Sequence, residues 1–254
     1  MIRYKEPKCY NTNQIKRIRE AGKVVKDVLA LMAEECIIGR TTLEIDNTAA
    51  NYLKNIKAKA ASYGYKGYPR HSCISIDHAV VHGIPDDTII QEGMLVGIDC
   101  PVKYKGMYAD AAINVEVGKV NDEKKKLNKV SYDCLMNAID KIGPGFTIGE
   151  LCHIQQQYAN DHGFKVIKQL QGHGIGKNLH ESPAIPFWKI DINPYNDYKL
   201  KPGNVIAVEP GIVTDDNLLM LPDMWTIITE DRSPGTSWEH TILITDNGNE
   251  ILTK

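Results

Sequence analysis

Asp99, Asp110, His173, Glu209 and Glu239 each stand at the edge of an apolar run or beside turn-forming glycines. Asp99 ends Leu95-Val96-Gly97-Ile98, Glu209 follows Val205 to Val208 and precedes Pro210-Gly211, and Glu239 opens the run Glu239-His240-Thr241-Ile242-Leu243-Ile244. His173 lies between glycines in Gln171-Gly172-His173-Gly174-Ile175-Gly176, which should let the backbone turn sharply and leave the imidazole accessible. Four carboxylates and one imidazole, without thiolate, suit hard or borderline divalent ions such as Mn, Fe(II), Co or Zn. Four negative charges exceed what one ion needs. Two ions about 3.5–4 Å apart, sharing carboxylates and a solvent molecule, form a hydrolytic centre.

The spacing between Asp99 and Asp110 points to a hairpin. A two-residue loop at Tyr104-Lys105 would set Lys103 against Gly106, Pro101 against Tyr108 and Asp99 directly against Asp110. Directly opposed like charges destabilise a half-buried sheet unless a cation neutralises them. His82, in Val81-His82-Gly83-Ile84-Pro85, and His180, in Leu179-His180-Glu181-Ser182-Pro183, fall outside the ligand set. Such imidazoles can steady an oxyanion or pass a proton to a leaving amine, or they can be satisfied structural histidines.

The elements that position these groups recur in order. Ile15, Ile18, Val25, Val28, Leu29 and Met32 repeat at helical spacing from Asn13 to near Gly39. A second helix starts at Thr41-Thr42-Leu43-Glu44, which has the form of a capping box. Strand-like sequence follows from Ser72 to Glu116. A helical segment from about Asp122 to Lys141 comes next, then Gly145-Phe146-Thr147-Ile148-Gly149-Glu150-Leu151, then strands from about Val205. Gly39, Thr41, Glu44 and Ile45 match Gly145, Thr147, Glu150 and Leu151; at nearly the same offset, Glu92 to Asp99 matches Pro202 to Glu209. The pattern predicts an internally duplicated α+β domain covering residues 1–254, with pseudo-repeats at roughly 13–118 and 121–248. The strands of the two halves, mainly antiparallel, should pack together under helices on the outer face.

Composition narrows the class. The chain has 254 residues, 43% hydrophobic and 24% charged, the balance of a globular protein. A formal net charge of -2 gives no field that would draw nucleic acid or an anionic membrane. The basic run Lys124 to Lys126 reads as a solvated helix start. The six cysteines, at 9, 36, 73, 100, 134 and 152, form no Cys-x-x-Cys pair, so a reduced, cytoplasmic protein is expected. Met1 to Tyr10, with Arg3, Lys5, Glu6 and Lys8, lacks the apolar stretch of a secretory signal. No window approaches the ~20 apolar residues of a membrane span.

Together these residues resemble the type I methionine aminopeptidases over nearly the whole chain. The matching stretches are His82 to Asp87, Gly97-Ile98-Asp99, Gly172 to Gly176, His180-Glu181-Ser182-Pro183, Val208-Glu209-Pro210 and Trp238-Glu239-His240-Thr241. The resemblance implies the duplicated pita-bread fold and removal of methionine from nascent polypeptide N-termini, preferably before a small second residue. It implies that Asp99 and Asp110 bind one metal, that His173 and Glu209 complete a second site, and that Asp110 and Glu239 reach both. Glu209 is then the base toward the attacking water. His82 meets the reacting amide and its leaving group, and His180 the substrate carbonyl. Tyr65, Tyr68, Cys73 and Trp225 map to the methionine pocket, and a monomer with at most transient ribosome contact is expected.

The chain departs from the family at Tyr108-Ala109-Asp110-Ala111-Ala112, where a Gly-Asp-Thr-Ser-like stretch is usual. It departs also at Pro101, where a Thr is common, at Leu179, where an aromatic is common, and at Gly211 after Glu209-Pro210, where Met is expected. Outer hydroxyls that tune metal affinity are therefore absent. The nearest rival is an X-Pro aminopeptidase or prolidase, which Glu209-Pro210-Gly211-Ile212 resembles in part; Asp231-Arg232, Trp225 and His-Gly-Ile-Pro favour the methionine branch. A noncatalytic binding protein of the same fold is a rival of another class, and loss of a ligand, its simplest sign, is not seen.

Overall fold

The computed structural model describes residues 6–189 and 197–254. Arg3 and Lys5 of the N-terminal stretch lie outside these described residues. The described residues form four α-helices: α1 (Thr12–Glu35), α2 (Thr42–Asn55), α3 (Asp122–Ile139) and α4 (Ile148–Asp161). The capping boxes read from the sequence are present. The Thr41 hydroxyl accepts from Glu44 N at 3.1 Å while the Glu44 carboxylate accepts from Thr41 N at 2.8 Å. Thr147 and Glu150 repeat the exchange at 3.1 and 2.7 Å. One turn earlier, Gly39 N donates to Ile90 O at 2.9 Å and Gly145 N to Leu200 O at 2.8 Å. Both glycines have left-handed φ, 92° and 87°, which side chains rarely adopt.

Eight strands build the central sheet: β1 (Cys73–Ile76), β2 (Leu95–Asp99), β3 (Ala111–Glu116), β4 (Gln171–Gly174), β5 (Glu181–Pro186), β6 (Val205–Val208), β7 (Glu239–Thr245) and β8 (Gly248–Ile251). Their spatial order is β5-β4-β6-β7-β3-β2-β1, with β8 on β7, and every pair is antiparallel. From the β3–β7 seam outward, one side therefore runs β3-β2-β1 and the other β7-β6-β4. Helices α1 and α2 bury Val25, Val28, Leu29, Ile45 and Leu53 against Val96 and Ile98 of β2. Helices α3 and α4 bury Leu135, Ile139 and Leu151 against Ile206, Val208 and Ile242. Each fully buried side chain of this size contributes about 1.5–3 kcal/mol, so this packing holds the helices to the sheet. It also crosses between the halves, with Ile18 of α1 in one cluster with Val205 and Leu243, and Leu127 of α3 in another with Leu95.

Two local expectations are corrected. The hairpin before β3 pairs Tyr104 with Met107, Lys103 with Tyr108 and Val102 with Ala109. Its loop is Lys105-Gly106, both at positive φ (47° and 78°), rather than Tyr104-Lys105. Asp99 therefore faces Ala112, not Asp110. Lys124 is not solvated: its Nζ reaches Gly93 O at 2.7 Å and Asp77 Oδ1 at 2.6 Å, tying the start of α3 to the strands before it.

Candidate metal centre

The sheet strands and the residues that join or flank them deliver the five candidate ligands to one cavity of about 590 Å³, whose wall includes Asp99, Asp110, His173, Glu209 and Glu239. Asp99 closes β2 and Glu239 opens β7; Asp110 lies between the hairpin strand Met107–Ala109 and β3. The Asp110 backbone is clamped at both polar groups by one hydroxyl. Its N–H donates to Thr241 Oγ1 at 2.9 Å, and that hydroxyl donates to Asp110 O at 2.7 Å. Glu209 follows β6, and the Ser237 hydroxyl donates to its carbonyl at 3.0 Å.

His173 sits within β4, not in a turn. The glycines beside it serve close strand packing: a Cβ at Gly172 would lie 2.6 Å from Ala207 O, and one at Gly174 2.1 Å from Ser182 O. The imidazole is buried rather than accessible. Its Nδ1 is 3.0 Å from Gly174 O, so Nδ1 carries the proton and donates, and Nε2 offers its lone pair to the cavity. That Nε2 is 3.5 Å from Glu209 Oε1. Burial, with His180 nearby, pushes the His173 pKa down to about 3, so the ring is neutral and able to ligate.

Ligand atoms of Asp110, His173 and Glu239 all lie within 4.8 Å of one another. Asp99 Oδ1, Asp110 Oδ1, Glu209 Oε1 and Glu239 Oε1 are buried and have no hydrogen-bond partner among the described residues. Buried carboxyl oxygens are costly unless hydrogen-bonded or bound to a cation. Burial raises the pKa of all four acids, that of Asp99 to about 6; for Asp110, Glu209 and Glu239 the neighbouring carboxylates raise it further. Four unpartnered carboxyl oxygens beside an imidazole whose Nε2 faces the cavity form an oxygen-rich donor set that fits divalent cations.

The remaining sequence-predicted residues line the same cavity: Tyr65, Tyr68, Cys73, His82, His180 and Trp225. Tyr68 and Trp225 meet edge to face at 5.0 Å, and the Tyr68 hydroxyl donates to Ser72 O and Gly83 O. Cys73 is the register partner of Asp99, which places the pocket beside the carboxylates. His82 has a left-handed φ of 59°, and burial lowers its pKa. His180 lies with its ring 4.3 Å from that of His173 and 5.1 Å from that of Tyr65. Burial, then Lys66 and His82, push its pKa down to about 4. The sequence reading missed Ile167, Leu170 and Phe187, which also wall the cavity. Nothing distinguishes an apolar wall residue from a core residue in sequence.

Metallopeptidase family M24 matches residues 16–246 of the chain. The chain is 35% identical to a methionine aminopeptidase of Helicobacter pylori, covering 100% of this chain and 99% of that protein. It superposes on the crystal structure of methionine aminopeptidase from Thermotoga maritima with a TM-score of 0.94, at 34% identity over 98% of this chain and 99% of that one. Prolidase from Pyrococcus furiosus is more distant: TM-score 0.78 and 25% identity, with 97% of this chain covering 65% of the prolidase.

Proposed function

The chain belongs to metallopeptidase family M24 and to the methionine aminopeptidases within it, and from that premise we propose how its residues carry the reaction. It is a metal-dependent aminopeptidase of pita-bread fold that removes N-terminal methionine from proteins and peptides. The observation that carries the mechanism is the set of four buried, unpartnered carboxyl oxygens around a neutral imidazole, in a cavity walled by Tyr68, Cys73 and Trp225. Asp99, Asp110, His173, Glu209 and Glu239 hold two divalent ions drawn from Mn, Fe(II), Co and Zn. When bound, the ions supply Lewis acidity and lower the pKa of water.

The residues of the chain do the rest. Tyr65, Tyr68, Cys73 and Trp225 take the methionine side chain; apolar and aromatic walls suit an unbranched thioether. Glu209 takes a proton from the attacking water as its oxygen adds to the peptide carbonyl carbon. Being neutral at pH 7, His180 donates an N–H to the carbonyl oxygen as negative charge builds there. His82 contacts the amide nitrogen, and the proton that Glu209 took from water passes to that nitrogen as the C–N bond breaks, which frees the amine and returns Glu209 to its carboxylate form. A small second residue is preferred.

The order of the strands on either side of the β3–β7 seam, with matched capping boxes, supports a single catalytic domain made of two pseudo-repeats, roughly 13–118 and 121–248. The enzyme works as a cytoplasmic monomer on nascent chains, with transient ribosome contact and no specificity for nucleic acid. No described helix is long and apolar enough to cross a membrane. The test is a side-by-side assay of metal-loaded protein on Met-Gly-type and X-Pro-type peptides. Faster release from the former is expected, and faster X-Pro cleavage would overturn the assignment.

A further inference from the structure

His180 faces the cavity from the turn Lys177 to Glu181. Its contacts there are to other rings, His173 and Tyr65, and no hydrogen bond from a described residue fixes its imidazole. The backbone of the turn must therefore set where the ring lies. That turn is held from outside the cavity by one carboxylate, Glu181, whose side chain is only 5% exposed.

Glu181 accepts from Asn178 N at 2.8 Å and Asn178 Nδ2 at 2.9 Å, closing the turn on itself. It accepts also from two residues of the N-terminal segment, Lys8 Nζ at 2.7 Å and the Tyr10 hydroxyl at 2.6 Å. The same Tyr10 oxygen accepts from Lys177 N at 2.8 Å. One phenol thus ties both ends of the turn. Tyr10 is itself firmly placed: its N–H donates to Gly203 O at 2.8 Å, and its ring fills the space beside Gly176, where a Cβ would lie 2.5 Å from it. Burial works to raise the pKa of Glu181, yet the hydrogen bonds from Lys8, Tyr10 and Asn178 N hold it below the usual value, so the carboxylate stays charged at neutral pH.

We propose that Tyr10 is a positioning residue for the reaction, acting through Glu181 and the Lys177 amide to hold His180 against the substrate carbonyl. The proposal rests on the role given to His180 above. A donor must sit within hydrogen-bond range of the developing oxyanion, and small misplacements are costly in rate. Tyr10→Phe deletes the hydroxyl while keeping the ring that fills the space at Gly176.

The experiment is a double-mutant cycle with Tyr10→Phe, His180→Ala and the double variant, each metal-loaded and assayed on a Met-Gly-type peptide for kcat and KM separately. Tyr10→Phe is expected to lower kcat about tenfold with KM little changed, and to cause no further loss in the His180→Ala background. Glu181→Gln, a second variant, should show the same dependence on His180. Equal losses in both backgrounds would mean a general structural effect and would overturn the positioning role, as would unchanged kcat in Tyr10→Phe. Full turnover by His180→Ala would instead remove the role of His180, and the proposal with it.

Discussion

Asp99 and Glu239 share one register partner, Ala112, which pairs with Asp99 across the β2–β3 ladder and with Glu239 across β3–β7. Residues in register on neighbouring strands project to the same face, so the Ala112 methyl lies between two carboxylates and itself lines the cavity. A methyl cannot donate a hydrogen bond to either. Ala112→Ser places a hydroxyl there and should tighten divalent metal binding about tenfold, read by calorimetric titration of the metal-free protein. Unchanged or weaker binding would show that the two carboxylates gain nothing from an outer donor.

Glu209 has its Oε1 3.5 Å from His173 Nε2 and no hydrogen-bond donor among the described residues. A group left so free can take a proton. Glu209→Gln keeps the volume and removes the base, so kcat should fall at least about 100-fold while peptide binding persists. Near wild-type turnover at full metal loading would take the base role away from Glu209.

How far the sequence reveals this molecule depends on the range of the interaction. Thr41 with Glu44 and Thr147 with Glu150 are legible because each capping box closes within one helical turn. The five candidate ligands are legible one by one: Asp99 and Glu209 end apolar runs, Glu239 opens one, His173 sits among glycines and Asp110 follows Asp99 at hairpin spacing. The facing of Asp99 is not: placing the loop one residue early shifts every hairpin partner, and only the positive φ of both Lys105 and Gly106 settles the register. The glycines beside His173 are read correctly as special and wrongly in role, since strand-to-strand approach and sharp turning both demand a missing Cβ. Tyr10 and Glu181 stand far apart along the chain, and no local pattern links them.

The matched caps make a stability prediction. Thr41→Ala and Thr147→Ala each remove a hydroxyl that accepts a backbone N–H at 3.1 Å, at equivalent helix starts in the two halves. Each should cost about 1 kcal/mol, and the double variant about the sum, because the sites share no partners. Urea unfolding measures this. A large cost at one site and none at the other would mean that the two helix starts are not energetically equivalent.

Alkaline pH should weaken the fold through its buried thiols. Burial pushes the Cys134 and Cys152 pKa values from 9.0 up to about 12, with Asp197 adding to the rise at Cys152. The folded chain therefore keeps these protons at pH values where the unfolded chain has lost them. Their stabilising effect is full below about pH 9 and declines as pH rises toward 12, by about 1.4 kcal/mol per pH unit for each thiol within that window. Urea midpoints at pH 8, 9.5 and 10.5 should fall more steeply for the wild type than for Cys134→Ala/Cys152→Ala, whose starting stability is lower for lack of packing. Parallel slopes would show that these two thiols ionise alike in the folded and unfolded chains.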